Sequence, residues 1–153
     1  MSRSPQKIAF PPSLEGYDEI IDVRSPSEYE EDHVAEAVNL PVLDDEERAK
    51  IGTLYQQVSA FQAKKLGAAL VSRNIARLLE THFADKQRDY RPLVYCWRGG
   101  QRSGSLATIL NEIGWNVDLL DGGYKTYRKK VLETIERLAP ELRLAVLNGY
   151  TGA

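Results

Sequence analysis

The chain of 153 residues has one cysteine, Cys96. A lone thiol cannot close an intrachain disulfide, which excludes the stapled design of small secreted domains and points to a reducing, cytoplasmic setting. No apolar run approaches the roughly 20 residues that a membrane helix needs, so no membrane partner is expected. The opening MSRSPQKIAFPPSL lacks the apolar core of a secretion signal. Neither sign of charge dominates. Twenty Lys and Arg against 22 Asp and Glu leave a net charge of −2. That excludes bulk electrostatic capture of nucleic acid and leaves room for a local basic patch. Histidine is scarce, with only His33 and His82. Neither has a second His or Cys at ligand spacing, so no metal site is expected. There is no internal repeat and no low-complexity tract.

What the chain does have is alternation of strand and helix signals. DEIIDV (18–23) reads as a short buried strand. Ser25, Pro26 and Glu28 then spell a helix start, with capping-box spacing and a proline in the first turn. AVNLP (37–41) reads as a second strand, stopped by Pro41. Asp44 and Glu47 repeat the capping arrangement ahead of a helix. A long helical run over 62–83 sets Leu66, Leu70, Leu78 and Leu79 to one side. LVYCW (93–97) is an apolar strand, and Leu106, Ile109, Leu110 and Ile113 follow helical spacing. NVDLL (116–120) is a strand, DGG a tight turn, and YKTYRKKVLETIERL a helix with Tyr124, Tyr127, Val131, Ile135 and Leu138 inward. RLAVL (143–147) reads as a last strand. Such alternation predicts an α/β layer fold, a mainly parallel central sheet with helices on both faces. Ligands in such sheets bind beyond the carboxyl ends of the strands, where Cys96 falls.

YCWRGGQRSGS (95–105) is the stretch with chemistry in it. A lone cysteine at a strand end is commonly a small buried apolar residue. Here Gly99 and Gly100 let successive backbone amides point into one concavity. The following helix adds the positive end of its dipole, and Arg98 and Arg102 add full charge. A thiolate in that setting is stabilised, so the Cys96 pKa is expected below the ordinary ~8.5. The same cradle suits a phosphate, thiosulfate or selenophosphate oxyanion. Cys96, Arg102 and Ser103 form C-x5-R-S. That spacing also describes the phosphate loop of cysteine-dependent phosphatases, so it leaves phosphoryl transfer and sulfur transfer both open.

The segment DVRSPSEYEEDHVAEAVNLP (22–41) resembles the opening signature of rhodanese domains through Asp22, Arg24, His33, Ala37, Asn39 and Pro41. Asp32 and Glu36 stand where that family commonly has glycine. The cysteine loop is one residue longer than the commoner rhodanese loop. Its sequence, with LDGGYKTYRKKV and the 41–71 segment, is similar to the rhodanese domain of the tRNA 2-selenouridine synthase family. The resemblance implies a transferase that replaces sulfur by selenium in wobble 2-thiouridine of tRNA. Selenophosphate is its selenium donor, and the sulfur is first geranylated from geranyl diphosphate. It implies that Cys96 is the essential thiol and that Trp97, Arg98, Gly99, Gly100, Gln101, Arg102 and Ser103 shape its pocket. The rival readings are the phosphatase, a generic thiosulfate sulfurtransferase and a non-catalytic rhodanese-like binding module.

Other residues follow from this frame. Asp22 and Arg24 are expected to form a buried pair supporting the loop, and His33 a structural hydrogen bond. His82 is expected to complement a helix end. Lys125, Arg128, Lys129 and Lys130 are either a solvated face or contacts to tRNA phosphates. The resemblance divides the chain into a rhodanese-like domain over 1–140 and the start of a second domain over 141–153. In that second part Gly149, Thr151 and Gly152 begin a phosphate loop of the form G-x-x-x-x-G-K-[ST], whose lysine and hydroxyl would lie past Ala153. No cofactor bound by the 153 residues themselves is expected, and the C-terminal P-loop domain is the expected partner.

Overall fold

Ile20 and Ile21 are adjacent in sequence yet lie in two different clusters of the core, as do Leu93 and Val94. Successive strand side chains point to opposite faces, so such a pair is buried twice only in a sheet covered on both sides. A computed structural model of the chain, describing residues 4–10, 14–143, 145 and 149, has that architecture. Five parallel strands form the sheet: β1 (Gln6–Ile8), β2 (Glu19–Asp22), β3 (Val38–Asn39), β4 (Pro92–Tyr95) and β5 (Asp118–Leu120). Their order is β1-β5-β4-β2-β3. Ile21 pairs with Val94 and Val38, and Leu93 with Asp118. This is the α/β fold that the alternation predicts.

The helices are α1 (Pro26–Glu31), α2 (Asp45–Gln57), α3 (Ala60–Glu80), α4 (Gln101–Ile113) and α5 (Gly123–Leu138), with a 3-10 turn over Ala139–Glu141. On one face of the sheet, Leu70, Val71, Ile75 and Leu78 of α3 pack with Leu106 and Leu110 of α4. Tyr124 of α5 and Tyr29 of α1 cover the other face with Val34 and Tyr95. Each fully buried Leu or Ile contributes about 1.5–3 kcal/mol relative to exposure. The caps sit where local chemistry puts them. Ser25 N donates to Glu28 Oε2 at 3.1 Å, Glu47 N to Asp44 Oδ1 at 2.7 Å, and Phe61 N to Ser59 Oγ at 3.2 Å.

The structure departs from the sequence reading in three places. Strand β1 was not foreseen: Gln6–Ile8 is three residues long and largely polar, held by pairing with β5 and by Ile8 packing on the core. On α5, Ile135 and Leu138 point outward at 57% and 37% exposure, against the expected inward face. Sixteen helical residues run about 24 Å, whereas the three-residue strand β5 beneath spans about 10 Å, so the helix outruns its sheet. Ile113, the last residue of α4, is likewise exposed. The strand expected over 143–147 falls mostly on 144 and 146–147, outside the described residues. Among the described residues, no helix is long and apolar enough to cross a membrane.

Candidate functional site

Cys96 is the first residue beyond β4, at the carboxyl edge of the sheet. Its Sγ accepts two hydrogen bonds, from the Gly100 amide at 3.2 Å and from Ser103 Oγ at 3.2 Å. The residue is 3% exposed. Burial alone would push the thiol up. The Ser103 and Gly100 donors and the charge of Arg102 outweigh it and hold the pKa below the ordinary thiol value. Gly99 makes the turn possible with φ +67, a left-handed conformation open to glycine. Gly100 then caps α4, and its carbonyl accepts from the Gly104 amide at 3.0 Å.

A second glycine turn holds this loop in place. At the start of α5, the Tyr124 amide donates to Cys96 O at 2.8 Å and the Lys125 amide to Trp97 O at 3.1 Å. The first amides of a helix have no partner within the helix, and here the cysteine loop supplies the acceptors. Gly123 has φ +59, and a Cβ there would collide with Cys96 O, Gly99 N and Trp97 C. The close approach of the two backbones therefore needs glycine at 123.

Arg24 supports the loop from behind. It is 1% exposed and forks onto Asp22, with Nη2–Oδ2 2.7 Å and Nε–Oδ1 3.0 Å. Nη2 also donates to Asp32 O at 2.6 Å, and the guanidinium lies 4.1 Å from the centre of the Tyr124 ring. Burial opposes its charge, but the hydrogen bonds and charge of Asp22 prevail and raise its pKa. Trp97 is half-buried, its ring 5.4 Å from that of Tyr124.

A strand-end cysteine, a glycine loop and a helix N-terminus sit at the carboxyl edge of a five-stranded parallel sheet. Residues 11–130 match the family model of the rhodanese-like domain. The chain belongs to the rhodanese-like domain family. A tRNA 2-selenouridine synthase of Nitrosomonas europaea is 38% identical over 135 residues, 88% of this chain and 35% of that protein. One from a Sulfurovum species is 36% identical over 156 residues, covering all of this chain and 42% of that protein. The chain thus spans about two-fifths or less of the length of these curated relatives. Among solved structures, the N-terminal domain of a Clostridium difficile protein inferred to bind ATP or GTP is 37% identical. It superposes with a TM-score of 0.64, covering 74% of this chain and 88% of that one.

Within this rhodanese-like domain the residues singled out from sequence separate into groups. Cys96, Gly100 and Ser103 converge on the sulfur, while Arg98 and Gln101 are exposed at its rim. Asp22 and Arg24 lie beneath the loop, away from solvent. Arg102 is near the thiol, but its guanidinium is engaged by the Glu28 carboxylate at 2.7 Å. His33 Nδ1 bonds Tyr29 O at 2.9 Å, and its ring stacks on Tyr29. His82 lies past the end of α3 and pairs with Glu19 of β2 at 2.8 Å, a cross-element contact instead of the expected helix-end role. Lys125, Arg128, Lys129 and Lys130 are all exposed. At 100° per residue, Lys125, Arg128 and Lys129 share one face of α5 and Lys130 is turned away. Gly149 is exposed, and Thr151 and Gly152 fall outside the described residues.

Two features were missed in sequence. Glu28 was read only as a cap, and DGG only as a turn. The spacing of Gly122 and Gly123 just ahead of an amphipathic helix was the available signal for the second. A groove of about 1120 Å³ also opens beside the loop, between α2, α3 and α4, with Ile51, Tyr55, Val71, Ile109 and Arg102 in its wall.

Proposed function

We propose that this chain is the rhodanese-like part of a tRNA 2-selenouridine synthase, with Cys96 as its essential thiol. The observation that carries the reading is the pair of donors, Gly100 N–H and Ser103 O–H, aimed at one sulfur whose pKa is lowered despite burial. The names of the curated relatives supply the substrate class, tRNA, and the family resemblance of the cysteine loop implies 2-thiouridine at the wobble position as the target. The sulfur attacks geranyl diphosphate and diphosphate leaves; the selenium of selenophosphate then displaces the sulfur as geranyl thiol, and water cleaves the Se–P bond to release phosphate. Arg98, exposed in the loop, and the exposed Lys125, Arg128 and Lys129 on one face of α5, whose first amides pin that loop, suit phosphates of the tRNA backbone. A C-terminal P-loop domain, starting over 141–153 with its phosphate loop from Gly149, completes the enzyme, which acts in the cytoplasm.

The deciding experiment is nucleoside analysis of tRNA after incubation with selenophosphate and geranyl diphosphate, using the longer protein. Cys96→Ser is expected to abolish 2-selenouridine, and full activity in that variant would remove Cys96 from the mechanism. The 153-residue chain separates the rival chemistries. With thiosulfate, the thiolate takes the outer sulfur, the S–S bond breaks and sulfite leaves with the electron pair. Cyanide then removes that sulfur as thiocyanate and restores the thiolate. Thiocyanate supports chalcogen transfer, release of phosphate from an aryl phosphate supports a phosphatase, and neither supports a binding module.

A further inference from the structure

The side chain of Glu28 closes the capping box of α1, which uses only part of a carboxylate's roughly four acceptor sites. Here it has three further partners. Arg102 Nη1 lies 2.7 Å from Oε2 and Nη2 3.3 Å from Oε1. Arg48 Nε lies 3.3 Å from Oε2, and Ser25 Oγ donates to the same oxygen at 3.2 Å. The side chain is 12% exposed, and Arg102 is 22% exposed. Burial raises the Glu28 pKa, but the two arginines and the Ser25 amide hold it below the usual carboxylate range. Two guanidinium groups thus share one carboxylate beside the thiol. The arginine that C-x5-R spacing reserves for an incoming oxyanion already holds an anion of the protein's own.

We infer that Glu28 is the internal counter-ion of the cysteine loop: it occupies Arg102, and an oxyanion donor gains Arg102 only by displacing it. Glu28 therefore sets the oxyanion affinity of the site. It also offsets the positive field that favours the thiolate. This rests on the loop being an oxyanion cradle, as the proposed function requires.

The test uses inorganic sulfate as the probe and protection of Cys96 from iodoacetamide as the readout. Glu28→Gln is the informative variant, because glutamine at the same position still closes a capping box. Removing a charge-assisted pair at a partly exposed site is expected to tighten sulfate protection about tenfold. The midpoint of the alkylation rate against pH is expected to move to lower pH. The gain in sulfate protection is expected to vanish in an Arg102→Ala background, which assigns it to that pair, whereas the shift in alkylation midpoint, which also comes from the carboxylate's own charge, persists in part. A purely structural role for Glu28 would move neither readout in this direction. If Glu28→Gln does not fold, the wild-type chain answers the question: the ¹³C resonance of the Glu28 carboxylate should shift as sulfate saturates the site, and a static resonance overturns the inference. Equal protection of wild type and Glu28→Gln overturns it as well, and leaves the cradle standing. Sulfate protection of neither protein sinks the cradle and the inference together. Tighter protection without selenouridine formation by the longer protein upholds the inference and sinks only the proposed function.

Discussion

The amide of Tyr124 donates to the carbonyl of Cys96 across 2.8 Å, joining the start of α5 to the residue that bears the thiol. With the Lys125 amide on Trp97 O, the helix is capped by the loop and the loop is pinned by the helix. The thiol's own donors, Gly100 and Ser103, lie at the cap and in the first turn of α4, just beyond that loop. The position of the sulfur therefore depends on a contact made through backbone, which glycine at 123, and at 99 opposite it, leaves room for.

Gly123→Ala should break that contact. The added Cβ meets loop backbone, which cannot swing aside, and φ +59 disfavours alanine as well. The expected loss is about 2–4 kcal/mol, read by urea unfolding, together with slower alkylation of Cys96. Gly52→Ala is the control: its Cβ meets nothing, and it lies within α2. There a gain of up to about 1 kcal/mol is expected from helix propensity. Equal behaviour of the two variants would dispose of the clasp.

Ser103→Ala should raise the thiol pKa, since it removes a donor to Sγ and leaves burial in place. The pH profile of alkylation would move to higher pH. Stability should respond too. Between the folded and the unfolded thiol pKa, the unfolded chain binds the proton and the folded chain does not, so wild-type stability rises with pH in that window. It is lost again as pH falls through the folded pKa. Ser103→Ala should shrink this pH-dependent gain, and urea unfolding at several pH values against Cys96→Ala measures it. An unchanged alkylation profile would remove Ser103 from the site's electrostatics.

Glu36→Gly should stabilise the chain. Glu36 is the one non-glycine residue with positive φ among the described residues, at +64. The left-handed conformation costs about 1–2 kcal/mol for a residue with a Cβ, and glycine returns about half of that as unfolded-state entropy, so a net gain of about 0.5 kcal/mol is expected. Glu36→Ala should show no such gain in thermal unfolding. A loss in the glycine variant would mean that the Glu36 side chain contributes more than its backbone costs. Asp32, the other residue at a common glycine position, is extended at φ −172 and has no such cost. Its carboxylate instead receives the Tyr124 hydroxyl and the His33 amide.

Much of the fold was legible because its signals are local. Ser25 with Glu28 and Asp44 with Glu47 announce helix starts within four residues, and the doubly buried strands show as continuous apolar runs. The cysteine loop was legible for the same reason, since Cys96, Gly99, Gly100 and Ser103 act within eight residues of each other. Strand β1 was not, because Gln6–Ile8 has no periodicity and becomes a strand only through β5, more than a hundred residues later. The outward turn of Ile135 and Leu138 depends on the height of the sheet, which no helical pattern encodes.

By itself the sequence determined a parallel α/β layer and a thiol held in a loop of amides, because caps, apolar periods and glycine turns work through near neighbours. Only the tertiary structure decided what surrounds that thiol. It set Gly123 against Cys96 and Glu28 on Arg102, a pair 74 residues apart. Packing brings such partners together, and a charge or a missing Cβ acquires its role from whatever the fold places a few ångströms away.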